Sequence, residues 1–225
     1  MCIRDRNYDL RWELFPKAGE IIAVSAYYKN FDNPIIYAFI PSSQNPEIKP
    51  VNVDQAKVYG VELEYRKNLG FISNALRDFK FATNLSFIHS ETDIPTDQLE
   101  VIRTNFISGF DSSRPFQDQS PFLFNASLVY NNIDGGWDGA LSYNNFGNRL
   151  AEASLSGLDI FEKSRPQLDF SIRKRFAEKY SVKLGVQNIL NTDFVRIANY
   201  LDTENVFEQY ERGVSFNLGF SYDIR

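Results

Sequence analysis

The sequence QLDFSIRKRFAEKYSVKLGVQ, residues 167–187, contains two alternating segments joined by a turn. Polar and apolar residues alternate strictly in both segments, which is typical of β-strands with two unlike faces. The turn at 177–179 is short, so it predicts an antiparallel hairpin whose apolar faces lie together. The apolar positions of the two segments are Leu168, Phe170, Ile172, Tyr180, Val182, Leu184 and Val186.

The same pattern recurs along the chain and predicts nine strands. They lie at 8–15, 21–31, 59–66, 79–90, 122–131, 137–143, 167–173 and 180–187, with a final strand from Gln209 to Tyr222. Short turns near 16–20, 70–78, 132–136 and 177–179 alternate with long loops at roughly 32–56, 93–121, 149–164 and 191–208. The first long loop carries four prolines and is predicted to be irregular. In a meander, this order places all short turns at one end of the sheet and all long loops at the other.

Composition narrows the class of protein. The net charge of −5 argues against a nucleic-acid partner, because phosphate binding favours a basic surface. The single Cys2 excludes an internal disulfide and a CxxC-type metal site. Aromatic residues make up 15% of the chain, which suits β-structure. No apolar run approaches the ~18 residues of a membrane helix, but transmembrane barrels are encoded in shorter alternating segments.

These observations predict an all-β fold, an antiparallel up-and-down transmembrane β-barrel with short periplasmic turns and long extracellular loops. A soluble β-sandwich also alternates, but its loops are not sorted by length into two ends. A sandwich also rarely keeps a long polar face beside an aromatic one. Single-chain bacterial barrels have an even number of strands, so nine strands indicate a fragment of a larger barrel.

Three segments resemble TonB-dependent outer-membrane receptors, in particular those of the Bacteroidota type. They are VYGVELEY at 58–65, Arg114-Pro115-Phe116 leading into QSPF at 119–122, and LGVQNILN at 184–191. The resemblance covers residues 7–222 and implies a 22-stranded barrel, of which this chain holds the last nine strands without the plug domain or the TonB box. Residues 1–6 resemble a truncated start, and residues 7–225 form the barrel portion. The ending Tyr222-Asp223-Ile224-Arg225 departs from the terminal aromatic residue that is usual in this family.

The resemblance implies a receptor in the outer membrane of a Gram-negative bacterium. Such a receptor binds a bulky nutrient, whether a siderophore, a cobalamin-like molecule or a glycan, and imports it when the TonB complex acts through the missing N-terminal region. Outer-membrane lipid and a surface lipoprotein are further expected partners, and no cofactor or metal is expected. A passive porin is the nearer alternative, and an outer-membrane barrel hydrolase is a distant one. No enzyme is predicted, because His89 is the only histidine and has no nucleophile motif nearby.

Two groups of residues are candidates for function. The loop candidates for ligand binding are Phe106, Phe110, Arg114, Phe116, Arg196, Tyr200 and Tyr210. For each of them the alternative is packing on a neighbouring loop. The polar residues expected to face the lumen are Glu62, Glu64, Arg66, Lys80, Asp169, Arg173 and Lys183, which are expected to pair with the plug or with water. The segment 188–191 is expected to form a turn, since asparagine tolerates the left-handed conformation.

Overall fold

The computed structural model describes residues 4–40, 47–105, 111–154, 158–177, 179–200 and 203–223. Its elements in chain order are β1 (Arg4–Leu14), β2 (Ile21–Asp32), β3 (Ile35–Ile40), β4 (Glu47–Asn52), β5 (Gln55–Asn68), β6 (Phe79–Asp93), α1 (Thr96–Asn105), β7 (Ser113–Arg114), β8 (Phe122–Asn132), β9 (Trp137–Phe146), β10 (Arg149–Ser154), β11 (Ile160–Glu162), β12 (Gln167–Phe176), β13 (Tyr180–Gln187), β14 (Phe194–Tyr200), β15 (Thr203–Tyr210) and β16 (Ser215–Tyr222). Two 3-10 turns, Leu69–Phe71 and Asn74–Leu76, connect β5 to β6. Among the described residues, no helix is long and apolar enough to cross a membrane.

Nine long strands form one antiparallel meander, which we call the barrel wall. Their order in the sheet is β1-β2-β5-β6-β8-β9-β12-β13-β16, and the two-residue β7 pairs beside β6. The predicted meander of nine antiparallel strands is therefore confirmed, but the predicted long loops contain seven further strands among the described residues.

The predicted bounds differ most at the two ends of the chain. The first strand spans Arg4–Leu14 and not 8–15, so the described residues of 1–6 belong to it. Gln209 lies in β15 and pairs with Val195, whereas β16 begins at Ser215.

Strand register places the apolar residues of the wall on one face. Ile172 lies opposite Leu184, which lies opposite Leu218 on the next strand. Leu218 is 79% exposed in the chain by itself, and every residue of β1 and β16 is exposed. An apolar face without protein cover, on a sheet whose other face is polar, is the arrangement of a wall between lipid and a wet lumen.

Asparagine and glycine shape the ends of the strands. Asn188 and Asn191 have φ values of 56° and 48°, and the Asn191 amide donates to the Asn188 carbonyl at 2.9 Å. This confirms the turn predicted for residues 188–191. Gly136, at φ 65°, turns β8 into β9, and a Cβ atom there would lie 2.9 Å from the carbonyl oxygen of Arg175. The neighbouring hairpin therefore approaches too closely for any other residue.

Three of the four long loops fold together into a second sheet, which we call the loop sheet. Its strand order is β15-β14-β11-β10-β3-β4, and β10 runs parallel to β3. The first long loop is therefore not irregular as predicted, because it supplies β3 and β4. Its strands have six residues each, too few for a clear alternation, and they gain partners from loops far away in the sequence.

The two clusters of buried apolar residues lie in the loops. Ile36, Val53, Leu150 and Ala153 form one cluster at 0–1% exposure. The partly buried side chains packed against this cluster are Val51, Phe116 and Phe161. A smaller cluster beside α1 consists of Ile94, Leu99 and Ile102. The long loops thus form a packed cap at the end of the wall, which positions the candidate ligand-binding residues.

Candidate ligand-binding end of the barrel

Arg114 is the most deeply buried of the loop candidates whose side chains the structure describes, with 3% of its side chain exposed. Its Nη1 atom donates to Asp159 Oδ1 at 2.6 Å, and its Nη2 atom donates to Gln98 Oε1 at 2.8 Å. The amide of Ser154 donates to the same Asp159 oxygen at 2.8 Å. Burial raises the pKa of Asp159, and the charge of Arg114 offsets only part of this rise. Arg114 therefore joins α1 to the third long loop, and its contact with a ligand stays a prediction.

Arg196 has a similar position in β14. Its Nη1 atom lies 2.9 Å from Glu152 Oε1 and 3.6 Å from Glu208 Oε2, and its guanidinium lies 5.2 Å from the ring centre of Phe194. These contacts join β14 to β10 and to β15. The Nε atoms of Arg114 and Arg196 are buried and have no hydrogen-bond partner among the described residues.

The aromatic candidates differ in what they contact. Phe116 stacks on Phe31 with ring centres 5.7 Å apart and packs on the loop core. Tyr210 stacks on Phe194 at 4.8 Å, yet 47% of it is exposed. Of these two rings, Tyr210 has the surface that a ligand could contact.

Three candidates lie outside what the structure describes. Phe106 and Phe110 fall between the described ranges, and the side chain of Tyr200 is not described. Their roles as ligand contacts stay predictions.

The loop sheet also depends on polar residues that the sequence analysis did not single out. Gln117 accepts a hydrogen bond from the Tyr37 amide at 2.7 Å and donates to the Ala151 carbonyl at 2.6 Å, which joins β3 to β10. Glu162, 5% exposed, accepts two hydrogen bonds from Arg149 at 2.7 and 3.0 Å. Only the three-dimensional pairing of the loops reveals these roles, because the partners have no fixed spacing in the sequence.

Exposed aromatic residues on the loop sheet were also missed. Tyr37 on β3 is 57% exposed, and Phe207 on β15 is 51% exposed. Phe207 makes an edge contact with Phe39 at 6.3 Å between ring centres. Like Tyr210, each of them presents an accessible aromatic ring on the loop sheet, the type of side chain that contacts bulky ligands and protein partners. The bare presence of tyrosine and phenylalanine in the loops was the only signal available in the sequence.

All seven residues predicted to face the lumen lie on the polar face of the wall. Ion pairs join several of the charged residues on this face. Glu64 lies 2.8 Å from Arg11 and 3.4 Å from Arg66, and Arg11 also pairs with Glu13. Asp169 accepts hydrogen bonds from Gln167 at 2.9 Å and from the Asn188 amide at 2.8 Å. These contacts fix the side chains against the wall, and they do not by themselves indicate a ligand.

The described residues do not form a cluster of metal ligands. Within the described ranges, no group of three or more His, Cys, Asp or Glu side chains is placed to hold a metal ion.

Comparison with known proteins identifies the family. Residues 4–189 match the family model described as TonB dependent receptor-like, beta-barrel. This chain therefore belongs to the TonB-dependent receptor β-barrel family, whose members lie in the outer membrane of Gram-negative bacteria. No curated protein matches the chain.

Solved structures show the same fold at low sequence identity. The copper transporter OprC has a TM-score of 0.67 at 12% identity, over 98% of this chain and 32% of that one. The FrpB iron transporter from Neisseria meningitidis has a TM-score of 0.60 at 14% identity, over 98% and 30%. A mutant ferric enterobactin receptor from Pseudomonas aeruginosa, in complex with enterobactin, has a TM-score of 0.60 at 12% identity, over 98% and 31%. The chain thus spans about a third of the length of these structures.

Proposed function

We propose that this chain is part of an outer-membrane receptor that takes up a bulky nutrient with energy supplied through TonB. The observation that best supports this proposal is the loop sheet, because three long loops pack into one folded cap at a single end of a lipid-facing wall. The loops of a simple open pore have no need to build such a shared core. A folded cap with aromatic residues on its surface is suited to retain a ligand of substantial size.

The loop sheet supplies the ligand contacts in this proposal. Tyr37, Phe207 and Tyr210 offer exposed aromatic surface. Arg114 and Arg196 join neighbouring loop segments through ion pairs. A siderophore, a cobalamin-like molecule or a glycan would each bring polar groups and a large surface to such a cap. A surface lipoprotein that closes over the loops is a further proposed partner. No catalytic activity is proposed.

Uptake by the parent receptor tests this function. The gene for the parent receptor would be deleted in its host, and the deletion strain would be given radiolabelled iron–siderophore, cobalamin or oligosaccharide. We expect the deletion to abolish uptake of one of these nutrients, and we expect inactivation of TonB to abolish it equally. Restoration by the wild-type gene is the control.

Two outcomes would contradict the proposal. Uptake that continues without TonB, and that rises linearly with nutrient concentration, would identify a passive porin. Normal uptake of every nutrient in the deletion strain, together with a lost hydrolytic activity on lipid or ester, would identify a barrel hydrolase.

A further inference from the structure

One lysine interrupts the apolar face of the wall close to its short turns. Lys174 on β12 lies opposite Trp137 on β9 and Val182 on β13, so strand register places it on the face that contacts lipid. The other residues of β12 on this face are all apolar: Leu168, Phe170, Ile172 and Phe176. A lysine is costly near the middle of a bilayer and is tolerated near its surface. We therefore expect Lys174 to lie at the membrane surface and not in the membrane interior.

The side chain of Lys174 extends towards the short turn between β8 and β9. Its Nζ atom donates to the carbonyl oxygen of Gly135 in that turn at 2.5 Å. The same atom lies 4.7 Å from the ring centre of Trp137 and 5.9 Å from that of Phe176. Lysines near the ends of membrane-spanning segments extend in this way, so that the aliphatic chain covers apolar surface and the ammonium reaches the interface. The ammonium uses one of its three protons for Gly135, which leaves two for a further acceptor.

Aromatic side chains surround the same end of the apolar face. Trp137 and Phe176 are exposed, and Tyr180 stacks on Tyr222 with ring centres 4.9 Å apart. Phe176 lies opposite Tyr180, which in turn lies opposite Tyr222. Tryptophan and tyrosine are enriched where membrane-spanning segments pass through the lipid headgroups. The aromatic residues and Lys174 thus indicate the same depth, which is that of the headgroups at the short-turn end of the wall.

A second lysine on the apolar face near a short turn has a different partner. Lys67 on β5 lies opposite Phe81 on β6, and its Nζ atom is 5.3 Å from the ring centre of Phe71. This Nζ atom also lies 3.1 Å from a carboxylate oxygen of the buried Glu20. A carboxylate of the protein therefore already binds the ammonium of Lys67, whereas Lys174 contacts a neutral carbonyl and two aromatic rings.

The surroundings of Lys174 on the apolar face are complete in this chain. β12 lies between β9 and β13, and its residue Lys174 is paired on both sides. The remaining strands of the parent barrel therefore add no neighbour to this part of the apolar face. The lipid-facing position of Lys174 holds for the parent receptor as well.

We propose that Lys174 and Trp137 form a binding site for the phosphate group of an anionic phospholipid at the periplasmic surface of the membrane. The ammonium of Lys174 donates charge-assisted hydrogen bonds to the phosphate oxygens, and the indole of Trp137 lies beside the headgroup. Because the surrounding surface is aromatic and apolar, the phosphate belongs to a lipid and not to a free ion. The bound headgroup fixes the depth at which β9 and β12 cross the membrane. This site does not depend on nutrient uptake, so its failure would leave the proposed function untouched.

Urea titration of the parent receptor folded into lipid vesicles tests this site. Vesicles of phosphatidylcholine alone would be compared with vesicles that also contain phosphatidylglycerol, for the wild type, Lys174→Met and the matched control Lys183→Met. Lys183 belongs to the same hairpin but lies on the polar face, so each variant loses one positive charge near the same turn. We expect phosphatidylglycerol to increase the folding equilibrium constant of the wild type. Lys174→Met should lose about fivefold of this gain, the effect of one basic residue at an anionic membrane surface.

The control variants separate a lipid contact from a general effect. Lys183→Met should keep the gain, because its side chain is on the polar face, and Lys174→Arg should keep it because the charge is retained. Any cost of a substitution that does not depend on lipid cancels, since each variant is measured in both kinds of vesicle. A full gain in Lys174→Met, or no gain in the wild type, would overturn the site. Equal losses in Lys174→Met and Lys183→Met would overturn it as well, because they would indicate a response to net charge alone.

Discussion

The barrel wall and the loop sheet are both β-structure, but they cover their apolar residues in opposite ways. Every residue of β1 and β16 is exposed in the chain by itself. The apolar face of the wall has no protein cover among the described residues and is suited to contact lipid. In the loop sheet, Leu150 and Ala153 are completely buried against other loops. The wall is thus stabilised by the membrane, whereas the loop sheet is stabilised by its own packing.

Charged groups follow the same division. In the loops, Arg114 and Glu162 are buried and bound by neighbouring loop residues. On the wall, Arg173 and Arg175 remain about half exposed on the polar face. Breaking a buried pair leaves an uncompensated charge, whereas an exposed pair contributes little. The loop sheet should therefore respond strongly to single substitutions that the wall tolerates.

The largest expected effect is on the wall as a whole, when residues 1–225 are expressed alone. The outer edges of β1 and β16 have no partner strand among the described residues. Each unsatisfied backbone group costs roughly several kcal/mol in lipid, so an open sheet should not insert stably. In water, the exposed apolar face should cause aggregation. We expect inclusion bodies, poor refolding in detergent and no transport.

Size-exclusion chromatography and heat modifiability on gels measure this outcome. The control is the parent receptor refolded in parallel. A monodisperse, heat-modifiable species from residues 1–225, with ligand-dependent uptake in cells, would show that the chain closes into a complete small barrel by itself.

The second-largest expected effect is the loss of a buried leucine in the loop sheet, compared with the loss of a leucine in the wall. Leu150→Ala should destabilise the loop sheet by about 2–5 kcal/mol, because a fully buried leucine leaves a cavity. The Asp118 amide, which donates to the Leu150 carbonyl at 2.9 Å, reports this change by hydrogen exchange. Leu218→Ala is the matched control and should leave this amide protected, since Leu218 faces lipid. Equal loss of protection in both variants would show that the two regions open together.

The sequence predicted the wall because its information is local. Alternation at residues 180–187 assigns both the strand and its faces, and the glycines and asparagines of the turns set the register. The loop sheet could not be predicted in this way. Strand β10 meets β3 through Ala153 and Ala38, two small residues that carry no pairing signal by themselves.

Residue type alone identified only some of the side chains that hold the loops together. Arg114 was singled out, but its partners Asp159 and Gln98 lie in different loop segments at no regular spacing. Burial of an arginine cannot be read from the sequence when its partners come from other loops.

A smaller effect tests which face of the wall meets lipid. Leu218→Arg in the parent receptor should cost about 2–4 kcal/mol if Leu218 lies near the middle of the bilayer. Asn217→Arg, the matched control at the neighbouring position on the polar face, should cost less. Urea titration of folding into lipid vesicles measures both values. Equal losses would count against the register in which Leu218 lies opposite Leu184.

The smallest effect concerns Glu20 in the first short turn. Burial alone would raise the pKa of this carboxyl, but hydrogen bonds from Lys67 at 3.1 Å and from the Asn68 amide at 3.4 Å lower it overall. A carboxyl with a lowered pKa stabilises the folded state above its unfolded pKa of about 4.3, and this stabilisation is lost as the pH falls through the folded pKa. Glu20→Gln should therefore weaken the parent receptor at pH 7, and the difference from wild type should shrink in acid. Lys67→Met should reduce this pH dependence, because it removes the cation that lowers the pKa. A double-mutant cycle by urea titration at both pH values measures the coupling, and an equal coupling at neutral and acidic pH would contradict the assigned ion pair.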